Sequence, residues 1–262
     1  MGVIEVDFSL NFVWIEATRL DVPETINAVT CPVPSELMAN VEKIAAHNPD
    51  LTISLWVDIY GIGGHPERII DAMNEPLEEP NVTIKPLDSI PSYTVNPLFR
   101  RKSVTLTNSH DPIWQQVDLA RLFVLKHCLI TEDKDAAIYS DMDRNLTKDF
   151  FVRAKSLDEA QEILAREGIV IGKEDGCHIE NQFIGIAQSQ MQFLTEVLIP
   201  KTIGSISGGL NGWEGHVTAI KSLDSSKRVF MPVPTFDPDK QVKIDYISKR
   251  ESTISDMRAL PA

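Results

Sequence analysis

Cysteine is scarce in this sequence, and the positions of the few cysteines exclude the simplest structural uses of a thiol. The 262 residues contain three cysteines, Cys31, Cys128 and Cys177, which stand far apart and are odd in number. No CxxC pair is present, so the sequence predicts neither a zinc ribbon nor a disulfide framework. We therefore expect reduced thiols, as in proteins of the cytosol.

Long apolar runs are missing too, and so is a basic, apolar leader. No uninterrupted apolar stretch approaches the roughly 20 residues that cross a bilayer, so we expect no transmembrane segment. The N-terminal MGVIEVDFSLNFVW carries Glu5 and Asp7 and has no basic start, which does not match a signal peptide. We expect a cytoplasmic protein, although a folded bacterial effector exported by a specialised system would have the same features.

Positive charge is in short supply. The chain has 25 Lys and Arg against 38 Asp and Glu, for a net charge of −13. Such a surface repels nucleic acid and anionic lipid, so we expect no nucleic-acid partner. The one tight basic cluster, Arg100 to Lys102, is large enough for one phosphate only. Hydrophobic residues make up 43% of the chain, which predicts a full core rather than disorder.

What the sequence does contain is a regular alternation of strand and helix patterns. The predicted strands include IEVDFSLNFVWI, LTISLWVDI, NVTIKPL and AAIYSDMD, and the predicted helices include SELMANVEKIAAH, HPERIIDAMNE, DPIWQQVDLARLFVLKHCLI and SLDEAQEILAREG. A later segment, QMQFLTEVLIPKTI, is predicted to be helical up to Pro200. This order predicts an α/β fold in which helices cover both faces of a mainly parallel central sheet.

The predicted strand AAIYSDMD begins as an apolar run and ends in two aspartates, Asp141 and Asp143, which are separated by one residue. Ligands of α/β sheets bind beyond the carboxyl ends of the strands, so the pair marks a candidate site. A plain strand-to-loop exit is the simplest alternative, because Asp is a common turn residue. An EF-hand calcium loop is excluded, since Leu146 and Val152 stand where Gly and Glu are needed.

Two catalytic chemistries remain for the aspartate pair. YSDMDRNL resembles the DxDxT or DxDxV motif of haloacid-dehalogenase-like phosphatases, in which the first Asp attacks phosphorus and the second acts as acid and base. Asn145 stands where that motif has Thr or Val, and the motif lies in mid-chain. The other chemistry is nucleotide-sugar transfer, in which a DxD pair holds Mn²⁺ or Mg²⁺ against the leaving diphosphate.

Further motifs accompany the pair in a fixed order. They are FVWI with Trp14, Asn48-Pro49, Leu55-Trp56, a helix with Asp118 and Arg121 as DxxR, and Tyr139 in YxDxD. Over residues 8 to 150 this order resembles the DxD-motif sugar transferases that include the clostridial glucosylating toxins and the yeast-type mannosyltransferases. The chain departs from that family between helix and strand, where TEDKDAA replaces a short Gly-Gly turn.

The resemblance implies a single glycosyltransferase domain of GT-A type over residues 1–262. Residues 1–150 would form the nucleotide-sugar-binding half, and residues 151–262 the acceptor and closing-loop half. It further implies that Trp14 borders the nucleotide base, that Asp118 and Arg121 hold sugar hydroxyls and phosphate, and that Tyr139 packs on ribose or sugar. From spacing alone, Asp118 and Arg121 could equally form a surface ion pair of little consequence.

For the metal, the resemblance implies that Asp143 is the more direct ligand, while Asp141 contacts both ribose and metal. In CHIENQFIG, it favours Glu180 and Asn181 as residues of the donor-sugar and acceptor region, with Glu180 orienting the acceptor. A satisfied structural network would explain these residues equally well.

The Gly-rich SISGGLNGWEGHV resembles the late loop that closes over the diphosphate in the toxin-like transferases. Trp213 would be the closing Trp, and His216 or Asn211 a further metal ligand. A plain turn with a buried Trp is the alternative.

The patterns and the resemblance together predict a metal-dependent glycosyltransferase that uses a nucleotide diphosphate sugar, a UDP-sugar in first place. The resemblance further implies that the anomeric configuration is retained. The acceptor, whether protein, glycan or lipid, is not identified by any motif. Two alternatives stay open: a phosphatase that uses Asp141 and Asp143, and a non-catalytic module that binds a glycan or a nucleotide sugar.

Overall fold

The structure is a computed structural model. It describes residues 7–15, 33–58, 66–96, 111–142, 157–173, 179–210, 212–223 and 230–232. The strands are β1 (Phe8–Ile15), β2 (Thr52–Asp58), β3 (Val82–Pro86), β4 (Ala136–Ser140), β5 (Ile169–Lys173), β6 (Ile179–Ala187) and β7 (Phe230–Pro232). The helices are α1 (Ser35–His47), α2 (Pro66–Asn74), α3 (Pro91–Thr94), α4 (Asp111–Ile130), α5 (Leu157–Glu167), α6 (Met191–Phe193), α7 (Ile199–Ser207) and α8 (Gly212–Ser222).

The seven strands of the described residues form one sheet, in the order β3-β2-β1-β4-β6-β5-β7. The strands β1 to β4 pair in parallel, and so do β5 and β7. β6 runs antiparallel to its neighbours β4 and β5. Every residue of β1 and of β4 is buried, as expected for parallel strands that are covered on both faces. The predicted mainly parallel α/β sheet is therefore confirmed.

Two apolar cores lie against the sheet, one on each face. One core takes its helical residues from α1, α2 and α5, and the other takes them from α3, α4 and the helices that follow β6. Successive residues of a strand point to opposite faces, so β4 contributes Ala136 and Ile138 to the first core and Ala137 and Tyr139 to the second. The face that holds α4 therefore also receives Tyr139.

The link between α4 and β4 is shorter than TEDKDAA suggests. Its two alanines, Ala136 and Ala137, belong to β4, and only residues 131–135 form the turn. Asp133 adopts a φ of 54° there, a left-handed conformation that Asp tolerates better than most residues. The departure from the Gly-Gly pattern is thus absorbed within a tight turn.

The prediction that a helix ends at Pro200 is wrong. α6 passes through a π-helical segment, Leu194–Leu198, into α7, which continues to Ser207. Pro200 occupies the first turn of α7, where the amide that proline lacks is not needed for the regular α-helical pattern. Among the described helices, none combines the length and the apolar composition that a bilayer crossing requires.

Candidate functional site

The carboxyl edge of the sheet has a step between β1 and β4. The pairing of β1 with β4 ends at Asn11 and Tyr139, whereas that of β1 with β2 continues to Ile15 and Asp58. From β1 the chain proceeds to β2 and β3 on one side and then returns to place β4 on the other. Open α/β sheets bind ligands at such switch points. Asp141, which follows β4 directly, lies at this step.

Helix α4 packs across β1 and β4 and carries Asp118 and Arg121 one turn apart. Their exposed fractions are 6% and 3%, so the alternative of a surface ion pair is wrong. Arg121 Nη2 lies 3.1 Å from Asp118 Oδ1, and Arg121 Nε donates a hydrogen bond to the Val117 carbonyl at 3.3 Å. A buried guanidinium needs such partners, because an unpaired charge in the interior is costly.

Arg121 also connects α4 to the end of β4. Its Cζ lies 4.6 Å from the ring centroid of Tyr139, within the range of a cation–π contact. The Tyr139 hydroxyl donates to Asp141 Oδ1 at 2.6 Å, and Arg121 Nη1 lies 3.8 Å from the same oxygen. The side chain of Asp141 is 24% exposed. These contacts connect the interior to the sheet edge. We call the four residues that make them the network: Asp118, Arg121, Tyr139 and Asp141.

The protonation states in this network follow from burial and neighbouring charge. Burial by itself lowers the pKa of Arg121, but Tyr139, Asp118 and Asp141 together raise that pKa above its usual value. Burial also raises the pKa of Tyr139 well above its usual value, and Asp141 adds to this effect. Arg121 therefore stays charged, and Tyr139 stays a neutral phenol whose hydroxyl donates a hydrogen bond to Asp141.

The predicted Gly-rich closing loop is wrong for residues 212–216. These residues form the start of α8, and Asp118 Oδ2 accepts a hydrogen bond from the Trp213 backbone amide at 3.0 Å. The Asp118 carboxylate gives the Trp213 amide a hydrogen-bond acceptor that the first turn of the helix lacks. The positive end of the helix dipole in turn stabilises the carboxylate. Gly212 permits the close approach, since a Cβ there would lie 2.5 Å from Asp118 Cβ.

Two further predicted residues lie on α8. The side chain of Trp213 is 36% exposed, whereas His216 is fully buried. Within the described part of the chain, neither ring nitrogen of His216 makes a hydrogen bond. Burial and the charge of Arg121 lower the pKa of His216 to about 3, so the imidazole is neutral near pH 7. The same positive charge disfavours a cation at this ring.

The structure places the remaining predicted residues as follows. Trp14 lies near the end of β1, is 8% exposed and belongs to the core on the α1 face. Glu180 and Asn181 are near the start of β6, and because β6 is antiparallel to β4, this start lies at the carboxyl edge beside Asp141. The side chains of Glu180 and Asn181 lie outside the described structure, as do Asp143 and Asn211.

The residues at this edge fit a hard divalent cation. Within the described part of the chain, Asp141 Oδ1 is engaged by Tyr139 and Arg121, while Oδ2 has no partner. No three His, Cys, Asp or Glu side chains come together among the described residues. Mg²⁺ is commonly held by one or two carboxylates together with substrate phosphates. Asp141, followed two residues later by Asp143, offers a ligand set of that kind.

The sequence prediction missed two polar residues that contact this edge. Asn40 of α1 donates a hydrogen bond from Nδ2 to the Met142 carbonyl at 2.6 Å. Asp58, the last residue of β2, accepts one from the Tyr93 hydroxyl at 2.9 Å. Each had a signal in the sequence. Asn is a poor residue for a helix interior, and Asp58 ends the apolar strand β2 as Asp141 follows β4.

No protein-family model matches the chain, and no curated protein sequence does. Among solved structures, the chain is similar to the PaToxG glycosyltransferase. The TM-score is 0.53 at 19% identity, over 85% of this chain and 73% of that one. A weaker similarity links it to mouse xyloside xylosyltransferase 1, with a TM-score of 0.45 at 12% identity, over 87% and 85% of the two chains. The first similarity confirms the predicted GT-A type of fold. At 19% identity it establishes the fold alone.

Proposed function

We propose that this protein is a glycosyltransferase that moves a sugar from a nucleotide diphosphate sugar, in first place a UDP-sugar, to an acceptor hydroxyl. Mn²⁺ or Mg²⁺ is bound by Asp141 and Asp143, and the anomeric configuration is retained. The observation that carries this proposal is the network of Asp118, Arg121, Tyr139 and Asp141, located at the switch point of a glycosyltransferase-type sheet.

The charge of the network supports a metal-dependent donor. One guanidinium stands among two carboxylates, so the network carries a net negative charge, and the whole chain carries −13. A diphosphate is repelled by such a site unless a cation accompanies it. A bound divalent cation supplies that compensation and neutralises the charge of the departing nucleoside diphosphate.

The residues of the chain have separate tasks in this proposal. Asp141, oriented by Tyr139, offers the metal its Oδ2, which has no partner among the described residues. Arg121 is held by Asp118, so its guanidinium is fixed before the donor arrives, and a fixed charge stabilises a leaving group without reorganisation. Glu180 orients the acceptor. The sequence offers no obvious carboxylate as nucleophile, so we propose that the acceptor attacks from the face that the diphosphate leaves.

A thermal-shift screen tests the proposal. UDP, UDP-glucose, UDP-N-acetylglucosamine and GDP-mannose are added with Mn²⁺ or with a chelator. A ligand at about 100 times its Kd stabilises the folded state by about 2.7 kcal/mol, which raises the Tm of a chain of this size by several degrees. We expect that rise for at least one nucleotide sugar, and only with the metal. NMR of the released sugar then reports turnover and the anomer that forms first.

Asp141→Asn is the matching variant, because an asparagine oxygen can still accept the Tyr139 hydrogen bond while the carboxylate charge is lost. We expect a folded protein without the metal-dependent shift, and alanine at Asp143 should likewise abolish metal-dependent donor hydrolysis. Asp71→Asn, at an exposed position of α2, is the control and should behave as wild type.

The same experiments separate the alternatives. Release of phosphate from simple esters, without any effect of nucleotide sugars, would show the phosphatase. Stabilisation by a donor or a glycan without turnover would show a binding module. A metal-dependent shift that Asp141→Asn leaves unchanged would refute the assignment of this site.

A further inference from the structure

The backbone between Asp141 and Asp143 is held from the face of the sheet opposite to α4. Asn40 lies in the interior of α1 and donates from its side-chain Nδ2 to the backbone carbonyl of Met142 at 2.6 Å. The two residues are 102 positions apart in the chain. The bond therefore joins α1 to the one residue that separates the two aspartates.

Met142 is anchored by its side chain as well. It is 5% exposed and belongs to the core on the α1 face, together with Val41, which follows Asn40 in α1. The carbonyl that Asn40 binds belongs to the peptide group that connects Met142 to Asp143. This group is planar, so a hydrogen bond to its oxygen restricts the orientation of the backbone at Met142.

The other face of the sheet orients the preceding residue. Tyr139 donates to Asp141 Oδ1 at 2.6 Å, and Arg121 of α4 lies 3.8 Å from the same oxygen. The turn after β4 is thus held at Asp141 from the α4 face and at Met142 from the α1 face. Two carboxylates that share one cation must keep a fixed relative position, and residues that orient metal ligands affect affinity strongly.

We propose that Asn40 is a positioning residue of the cation- and diphosphate-binding turn. It acts by holding the Met142 peptide, so that the turn keeps the Asp141 carboxylate in place for the cation. This inference rests on the proposed function of the Asp141 and Asp143 site.

The test compares two asparagines of α1, one inside the helix and one at its C-terminal cap. Asn40→Ala removes the bond to Met142. The control is Asn48→Ala at the C-terminal cap of α1, where Asn48 Nδ2 donates to the Ile44 carbonyl at 2.7 Å. Both changes delete a side-chain amide that is hydrogen-bonded to a backbone carbonyl, but only the first involves the turn.

Electron paramagnetic resonance of free Mn²⁺, titrated with protein in the presence of UDP, gives the Kd for Mn²⁺. Thermal unfolding gives the Tm.

We expect Asn40→Ala to raise the Kd for Mn²⁺ by about tenfold or more, in the range known for residues that orient metal ligands. Asn48→Ala should leave the Kd within about twofold of wild type, even if it lowers the Tm as much as Asn40→Ala does. Asn40→Leu, whose side chain has a similar branched shape, provides a second variant without the amide donor and adds no charge, and it should also weaken Mn²⁺ binding. Asn40→Gln, which keeps an amide, should retain part of the affinity.

The inference is overturned if the two Asn40 variants that lack the amide bind Mn²⁺ as tightly as wild type does. So does a loss in Asn48→Ala that matches the loss in Asn40→Ala, since the effect would then be one of stability. If wild type binds Mn²⁺ with UDP and Asp141→Asn does not, the proposed function stands whatever Asn40 does. If wild type shows no such binding, the proposed function fails, and the inference fails with it.

Discussion

Arg121 shows how this protein keeps a charge in its interior. Its guanidinium lies 3.1 Å from a carboxylate oxygen of Asp118, donates to the Val117 carbonyl and stacks on Tyr139. Each contact takes over part of the hydration that burial removes. Because groups of the protein itself supply these contacts, the side chain does not have to be ordered when an anionic donor binds. Arg121 is therefore preorganised for the proposed role.

Because His216 is buried as a neutral imidazole, we expect the protein to lose stability as the pH falls. The folded-state pKa of His216, about 3, lies below the value of about 6.5 in an unfolded chain. Between these values the unfolded state binds the proton, so the contribution to stability is complete above pH 6.5 and falls as pH falls toward 3. The loss is about 1.4 kcal/mol per pH unit, or about 2 to 3 kcal/mol between pH 6.5 and pH 4.5.

Urea unfolding of wild type and His216→Met at pH 7 and pH 4.5 measures this effect. Carboxylates titrate in both proteins and cancel in the comparison, so wild type should lose about 2 to 3 kcal/mol more than the variant. Equal losses would mean that His216 is not held neutral in the folded protein.

Helix α8 approaches α4 so closely that only glycine fits at the contact. A Cβ on Gly212 would lie 2.5 Å from Asp118 Cβ and 2.8 Å from its Oδ2, and Asp118 is held by Arg121 and by the Trp213 amide. Gly212→Ala should therefore displace α8 and destabilise the fold by about 1 to 3 kcal/mol, as overpacking does. We also expect weaker binding of UDP with Mn²⁺, because Asp118 supports Arg121.

Gly204→Ala is the matched control for that change. Gly204 lies inside α7, and a Cβ there would meet no atom within 4 Å. Alanine is the better helix former, so this variant should gain about 0.5 to 1 kcal/mol and keep its affinity for the donor. Urea unfolding and titration with UDP and Mn²⁺ measure both variants. A Gly212→Ala protein as stable as wild type would contradict the close packing of α8 on Asp118.

At the scale of the whole molecule, the two predicted halves share one sheet and both apolar cores. β4 from the first half pairs with β6 from the second, and the core around α4 includes residues of α7 and α8. A fragment of residues 1–150 would leave the edge of β4 unpaired and the apolar surface of α4 exposed. We therefore expect the halves to unfold together rather than as separate domains.

Urea unfolding followed by circular dichroism and by tryptophan fluorescence tests this expectation. The second probe reports on both halves, because Trp56 is buried in the first and Trp213 lies in the second. The two signals of the intact chain should change in one coincident transition, and the fragment 1–150 should show no cooperative transition of its own. A fragment that unfolds cooperatively would show that the halves are independent domains.

Local patterns in the sequence determined several of the elements of this protein and marked its candidate site. The buried strands β1 and β4, the amphipathic helix α1 and the position of Asp141 after β4 follow from side-chain periodicity and turn chemistry, which act between near neighbours. Asp118 and Arg121 share a helix face for the same reason.

Only the tertiary structure decided which of these residues meet. Spacing left Asp118 and Arg121 equally open to a surface ion pair, and it assigned the start of α8 to a loop, because the Asp118 carboxylate that satisfies the Trp213 amide lies 95 positions away. Asn40 had no assigned role, since its partner Met142 is 102 positions away. Contacts over such distances arise when helices pack on a common sheet. Their energy depends on three-dimensional proximity, which local sequence patterns do not encode.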